Sequence, residues 1–430
     1  MMWNPLPEFA IEPFDLGRGS TLPDDAIMRT GKVDVAAYVD AQRFAEEAEL
    51  FRSTWLNIAD VSDIPNPGDW IVRDLEMHST SILITRDAKG ELRAFHNVCV
   101  HRGMQLVMEE AGHGTRFTCP YHAWSYAADG TLKSVPDEQG FPCLDKQESG
   151  LRPINLDVWE GFVFINLATD PAQSLAEFMA PVSAHFADLP FTRFTHQAKM
   201  RERLPCNWKL LLEAQSESYH IRALHARTVS SMLSSSENPF CHPLQWQPLG
   251  PHRTWSTSIN PAFELSDDRA VQKFAFMASA QVVSTPDGAG VADAPPSGFL
   301  PPDGAVGERS EIWAADNLVH FPNVQLNAGA NGCWMHRFWP VSENETDWEA
   351  RYYFTPPTSL RQEFAQHYTV AFNRDTLMED NSSCGRQQRA MKSGAIDTIM
   401  FGDQETPCRH NAAVVKAAIH GRSPFSVAAE

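Results

Sequence analysis

The chain has few cysteines, no long apolar run and no excess of positive charge, and each shortage removes a class of function. Eight cysteines among 430 residues are too sparse for a disulfide-stapled scaffold. Six of them, Cys143, Cys206, Cys241, Cys333, Cys384 and Cys408, suit reduced thiols in a cytoplasmic protein. No stretch of about 18 apolar residues is present, so no membrane-spanning helix is expected. Met1-Met2-Trp3-Asn4-Pro5-Leu6-Pro7 lacks the charged-then-apolar order of a secretory signal. Asp and Glu outnumber Lys and Arg by 54 to 35, a formal net charge of −19. That opposes nucleic acid and anionic membranes, which both need a basic surface. There is no internal repeat and no nicotinamide or flavin fingerprint. Gly288-Ala289-Gly290 has no strand before it and no helix after it, so it reads as loop. Any redox chemistry here would draw its electrons from a separate protein.

What is present is metal chemistry. Cys99-x-His101 and Cys119-Pro120-Tyr121-His122 each couple one thiolate to one imidazole. Two sulfurs and two imidazoles on paired loops suit a 2Fe-2S cluster in which one iron takes both cysteines and the other both histidines. A Cys2His2 zinc site is the rival, but zinc fingers group like ligands, and each pair here mixes them. Asp129-Gly130, just beyond the second pair, is a hairpin-turn dipeptide. Trp124, next to that pair, reads as a cover over the cluster or as a core residue.

The length allows two or three domains with a large buried core. Residues 35–53 carry the apolar spacing of a helix. From Trp55 to Asn166 short strands alternate with turns: Trp70–Val72, Ser81–Thr85, Leu92–Phe95 and Phe162–Ile165, punctuated by Pro65-Asn66-Pro67-Gly68 and Asp87-Ala88-Lys89-Gly90. A helix over about 174–187 follows, then strands mixed with helices. Residues 284–310 read as a long surface loop or lid. The division expected is 1–54 as an N-terminal helical part of a catalytic domain, 55–168 as an all-β cluster domain, and 169–430 as the catalytic domain proper.

A second ligand set lies between Glu213 and His225, where Glu213, Glu217, His220 and His225 fall within 13 residues. Two histidines and one carboxylate on one face of an iron leave positions open for oxygen and substrate. The third ligand must come from elsewhere. Asp380, in a helix expected from about Gln362 to Met391, is the candidate, with Glu379 its rival. Glu217 and His220, three apart, would share a helix face. His220 and His225, five apart, point about 140° apart on an ideal helix, so an irregularity, plausibly a π-type turn, is expected at Ile221–Leu224.

Together these segments resemble the large (α) subunit of Rieske non-haem iron ring-hydroxylating oxygenases. The order is the cluster pairs, Asn207-Trp208-Lys209, Tyr219-His220 with His225, and Asp380-Asn381 followed by Gln387. The resemblance implies an α+β fold, with an all-β Rieske domain inserted in a helix-grip catalytic domain that has a central antiparallel sheet. It implies Cys99, His101, Cys119 and His122 as cluster ligands and His220, His225 and Asp380 as ligands of mononuclear Fe(II). It implies a homotrimer, with or without a β subunit, in which the cluster of one subunit faces the iron of the next. Glu217 would bridge His122 and His220 across that interface. It further implies small-molecule substrate and O2, and electrons from NAD(P)H through a separate reductase, directly or through a ferredoxin.

The expected activity is insertion of oxygen from O2 into an aromatic compound. Aromatic dioxygenases usually carry Asp at the bridging position, and the spacing from Glu213 to His220 is one residue shorter than in naphthalene-type enzymes. Both features look more like members acting on carnitine, choline or glycine betaine. A monooxygenase or demethylase acting on a quaternary amine is therefore the alternative, and Trp313, Trp334, Phe338 and Trp339 are candidates for its aromatic cage. An electron-transfer Rieske protein is a third reading. A solvated helix carboxylate is the bland reading of Glu217. Tyr219 lies beside the iron or in the core, and His320, His336 and His410 read as packing residues.

Overall fold

The structure, a computed structural model, describes residues 26–186, 194–260, 262–279, 313–329 and 332–421. The N-terminus read as lacking a secretory signal, the 284–310 loop and Gly288–Gly290 fall outside these residues, and of Trp313 only the backbone is described. The chain forms two compact units, one of residues 48–179 and one of residues 1–47 with 180–430.

The first unit is built of short antiparallel strands. Its seven-stranded sheet runs in the order Leu56–Asp60, Phe162–Asn166, Pro153–Trp159, Leu92–His96, Thr80–Arg86, Asp69–Leu75, Ala111–His113. Each of the four expected strands is present and extends beyond its sequence pattern. Arg116–Thr118, Ser125–Ala127 and Leu132–Ser134 make a small three-stranded sheet. Gly130, at φ 83°, turns its last hairpin in the left-handed region that glycine adopts without a Cβ penalty. Leu83, Phe95, Phe117, Tyr126 and Leu132 fill the core, and Cys99 and Cys119 are buried in the same cluster. The expected helix over 174–187 is Leu175–His185. It starts at a reciprocal cap in which Ser174 Oγ accepts from the Glu177 amide and Glu177 accepts from the Ser174 amide.

The second unit centres on a seven-stranded antiparallel sheet in the order His196–Leu204, Glu345–Phe354, Gly332–Ser342, Val324–Gly329, Trp313–His320, His252–Ser258, Gln245–Leu249. Helices Trp208–Ala214, Leu360–Met391 and Thr406–Ile419 lie against it. The all-β domain thus interrupts an α+β domain with a central antiparallel sheet. The single helix expected over 35–53 is two, Ala36–Val39 and Ala41–Ser53. Asp40 between them is extended, and its carboxylate accepts the Arg43 amide at 2.9 Å, which caps the second helix and breaks the first. Glu47 on that second helix is buried, accepts from Trp208 Nε1 at 2.8 Å and pairs with Lys209. Among the described residues no helix is long and apolar enough to cross a membrane.

Candidate metal centres

The two cluster-type pairs sit on loops of the same construction. In one, the Gly103 amide donates to Cys99 O and the Cys99 amide to Met104 O; in the other, the Ala123 amide donates to Cys119 O and the Cys119 amide to Trp124 O. Gly103 and Ala123 close their loops at φ 75° and 59°. This shared wrapping presents both sulfurs inward. Cys99 and Cys119 are buried, and His101 and His122 are partly exposed, with ring centroids 4.6 Å apart. Trp124 is buried and stacks on His101 at 4.7 Å. Tyr126 Oη lies 3.3 Å from Cys99 Sγ and accepts the Val100 amide. Burial pushes the Cys99 thiol up, against the Tyr126 hydrogen bond. Bound iron would reverse that balance by holding the sulfur as thiolate.

The second centre gathers His220, His225 and Asp380. Nε2 of His220 lies 3.1 Å from Nε2 of His225, and Asp380 Oδ1 lies 3.2 Å from the latter and 3.5 Å from the former. Ligands in neighbouring octahedral positions around an ion with bonds of about 2.1 Å sit about 3.0 Å apart. The triad therefore has the span of one face of a coordination sphere. Asp380 Oδ1 is buried and has no hydrogen-bond partner among the described residues, which is costly unless a cation takes it. The donor set suits a divalent iron.

The backbone reaches this arrangement differently from the sequence expectation. Helix Trp208–Ala214 ends six residues before His220. Ile221–Leu224 is a regular single turn with His220 as its N-cap and His225 as its C-cap, and the His225 amide still donates to Ile221 O. No π-type turn forms at Ile221–Leu224. The break lies outside those residues, and His225 leaves the helix with ψ 25°. Glu217 is likewise off any helix. Its carboxylate accepts from the amides of Tyr219 and His220 and contacts His220 Nδ1. With its side chain only 11% exposed, it is no solvated helix carboxylate.

Three further side chains orient the triad. Glu379 accepts from His225 Nδ1 at 2.7 Å and from Thr228 at 2.8 Å. It holds the back of the ring while Asp380 faces the front. Gln215 donates to Asp380 Oδ2 at 3.0 Å, and Gln325 donates to the backbone carbonyl of Gln215. Carboxylate partners on a ligand's far nitrogen fix its orientation and raise its basicity. Burial would lower the pKa of His220, but Glu217 and Asp380 raise it to about 9; His225 is raised by Asp380 and Glu379 against the same penalty. The site is thus strongly negative and attracts a cation or a proton.

Other expectations resolve by strand face. Trp334 and Phe338 share a face of their strand with His336, whereas Trp339 lies on the opposite one, so the four aromatics do not form one cage. His336 stacks on Phe338 and on Trp348 and accepts from Trp348 Nε1 at 3.2 Å. Burial lowers its pKa to about 4 although Asp380 pulls it upward, so His336 is neutral and faces the centre. His320 is on the reverse face, and buried His410 donates to Gly250 O. Tyr219 is 56% exposed and is not a core residue. Gln388, rather than Gln387, makes the buried bonds of the long helix, accepting the Asn207 amide and donating to Tyr38 O. Gln215 and Gln325 carry no motif, and only their tertiary contacts reveal them.

Comparison with known proteins agrees with this geometry. The family described as the ring hydroxylating alpha subunit (catalytic domain) matches residues 191–421, and the Rieske [2Fe-2S] domain matches residues 54–145. The chain is 33% identical over 199 residues to the glycine betaine monooxygenase oxygenase subunit of Pseudomonas aeruginosa (46% of this chain, 45% of that one). It is 32% identical over 219 residues to the anthranilate 1,2-dioxygenase large subunit of Acinetobacter baylyi (49% and 45%). The chain spans about half the length of the curated relatives it matches. Two solved structures share the fold at 20% identity. Naphthalene 1,2-dioxygenase from Rhodococcus sp. has TM-score 0.71, covering 90% of this chain and 94% of that one. The quaternary ammonium Rieske monooxygenase CntA with gamma-butyrobetaine has TM-score 0.68, covering 90% and 95%. With the catalytic-domain match running over more than half of its residues and the Rieske domain ahead of it, the chain belongs to the ring-hydroxylating alpha-subunit family of Rieske oxygenases.

Proposed function

We propose that the protein is a terminal oxygenase component that inserts oxygen from O2 into an aromatic compound. The observation that carries this is the convergence of His220, His225 and the orphaned Asp380 oxygen on one point, in a chain that also bears the Rieske domain. In this reading Cys99, His101, Cys119 and His122 hold the 2Fe-2S cluster, and His220, His225 and Asp380 hold Fe(II). The cluster supplies electrons and the iron supplies O2 activation. The protein's own part is orientation. Glu217 fixes His220 through Nδ1, Glu379 fixes His225, and Gln215 fixes Asp380, so the three ligands leave the opposite side free for substrate. The domain division 1–54, 55–168 and 169–430, a homotrimer with or without a β subunit, and a bridge from Glu217 to His122 of the partner subunit belong to the same proposal. So does a cytoplasmic setting with electrons arriving from a separate reductase or ferredoxin.

A second reading is a monooxygenase or demethylase of a quaternary amine such as a betaine or carnitine. Glu217, where aromatic dioxygenases usually carry Asp, favours it, as do the glycine betaine and carnitine monooxygenase relatives at 33% identity. A single turnover of chemically reduced protein with O2 and a panel of arenes, aromatic acids and quaternary amines decides between them. A product gaining two oxygens and two hydrogens on a ring supports dihydroxylation. Loss of a methyl or hydroxylation of an amine supports the second reading. A reducible cluster with no product from any class counts against both and raises the electron-transfer reading.

A further inference from the structure

The face of the catalytic sheet turned toward the iron triad is unexpectedly polar. Cross-strand partners lie on the same face of a sheet. Arg253 pairs with Val319, Val319 with Gln325, and Gln325 with His336. The next row on that face runs from Trp255 through Asn317, Asn327 and Trp334 to Tyr352. Gln325 touches Gln215, which holds Asp380, so both rows belong to the side on which the triad sits.

Several of these groups are buried with unused hydrogen-bonding capacity among the described residues. They are the three guanidinium nitrogens of Arg253, Trp255 Nε1, Tyr352 Oη, Gln325 Oε1 and His336 Nε2. Arg253 is wholly buried. A buried donor left unpaired costs about 1–3 kcal/mol, and a lone buried charge costs several. Such groups are rare in native proteins, and a concentration of them marks a place for something else. Glu213, whose charge reaches Arg253, does not fill the role. Its carboxylate is taken by Tyr38 at 2.9 Å and Asn411 at 3.2 Å and makes no hydrogen bond to the guanidinium. Burial further pushes Glu213 toward the neutral acid, with a pKa of about 7. The unused set is rich in donors and contains one fixed positive charge. An acceptor-rich anion is its complement, and a bare hydrocarbon ring would leave every one of these groups unpaired.

We infer that the substrate carries a carboxylate, received by the guanidinium of Arg253, with its reacting carbon directed toward His220, His225 and Asp380. This deepens the oxygenase reading and rests on it. The Arg253 strand lies two strand spacings, about 10 Å, from the Gln325 strand beside the triad. A one-ring acid or a short amino acid spans that separation.

The test uses the full chain carrying its cluster and Fe(II), under anaerobic conditions, with binding read by calorimetry. Two probe pairs differ only in the acid group: benzoate against benzyl alcohol, and glycine betaine against choline. In at least one pair the acid should bind tenfold or more tighter than the alcohol. Arg253→Met should erase that preference and Arg253→Lys should keep part of it. Without ligand, Arg253→Met should melt no lower than the parent protein, because it removes an unpaired buried charge; a structural arginine would melt lower on replacement. The Fe(II)-nitrosyl signal of each protein reports the iron site independently. Iron present with no acid preference in either pair overturns this inference alone, as does a preference that survives Arg253→Met. A wild-type protein that loads no mononuclear iron overturns the oxygenase reading and this inference with it.

Discussion

Glu379 accepts a hydrogen bond from Nδ1 of His225 at 2.7 Å, while the next residue, Asp380, faces Nε2 of the same ring at 3.2 Å. Adjacent carboxylates on one helix thus grip one imidazole front and back. They separate in role because successive helical residues point about 100° apart.

Glu379→Gln should retain the fold and the cluster but weaken Fe(II) binding by about 10- to 100-fold, the usual effect of losing a partner behind a metal ligand. Titration of metal-free protein with Fe(II), followed by the nitrosyl signal, reads this directly. Unchanged iron affinity would show that Glu379 serves Thr228 rather than His225.

With both metal centres loaded at saturating Fe(II), Glu217→Gln should slow reoxidation of the reduced cluster by O2 and substrate at least about tenfold, because the amide cannot supply the charge that Glu217 directs at His220. Stopped-flow bleaching and recovery of the cluster absorbance measure it. A near-normal rate removes Glu217 from the electron path.

The buried Glu213 supplies a pH signature. Burial raises its pKa to about 7 against the lowering influence of Asn411, Tyr38 and Lys209, so the folded state holds this proton more tightly than the unfolded chain. Its contribution to stability is full below the ordinary carboxylate pKa and is lost as pH rises through about 7. Glu213→Gln cannot ionise. Its Tm relative to the parent should therefore be higher at pH 8 than at pH 5.5, and a pH-independent difference would contradict the assignment.

Glu349 behaves in the opposite sense. Burial alone would raise its pKa, but Arg337 at 2.5 Å, Arg351 at 3.0 Å and Arg201 at 2.7 Å hold it well below the usual carboxylate range. That stabilisation is present above the unfolded pKa and fades as pH falls toward the depressed one. At neutral pH Glu349→Gln should destabilise by about 3 kcal/mol, because Arg337 and Arg351 stay buried without their anion. Denaturant melts at pH 7 and pH 3 should show the gap narrowing in acid.

The cluster loops were legible because their chemistry is local. Cys99 with His101 and Cys119 with His122 announce themselves by residue type and short spacing. The strands around them follow from alternation and turn residues. The break at Asp40 and the exact course of the chain through His220 were not legible. Which side chain caps each turn decides them, and propensity is blind to that.

The sequence by itself determined the types of the candidate ligands, their order and the two chemistries they allow. It named Asp380 as the third candidate, with Glu379 its rival, but could give Glu379 no part of its own, since the contacts of neighbouring helical residues depend on what each face meets. Only the tertiary structure assigned Glu379 to the back of His225 and brought Gln215 and Gln325 onto Asp380. It also aligned Arg253, Trp255 and Tyr352 on one face of the sheet. Those relationships join residues far apart in the chain, through strand register and helix packing, and long-range register is written in no single segment.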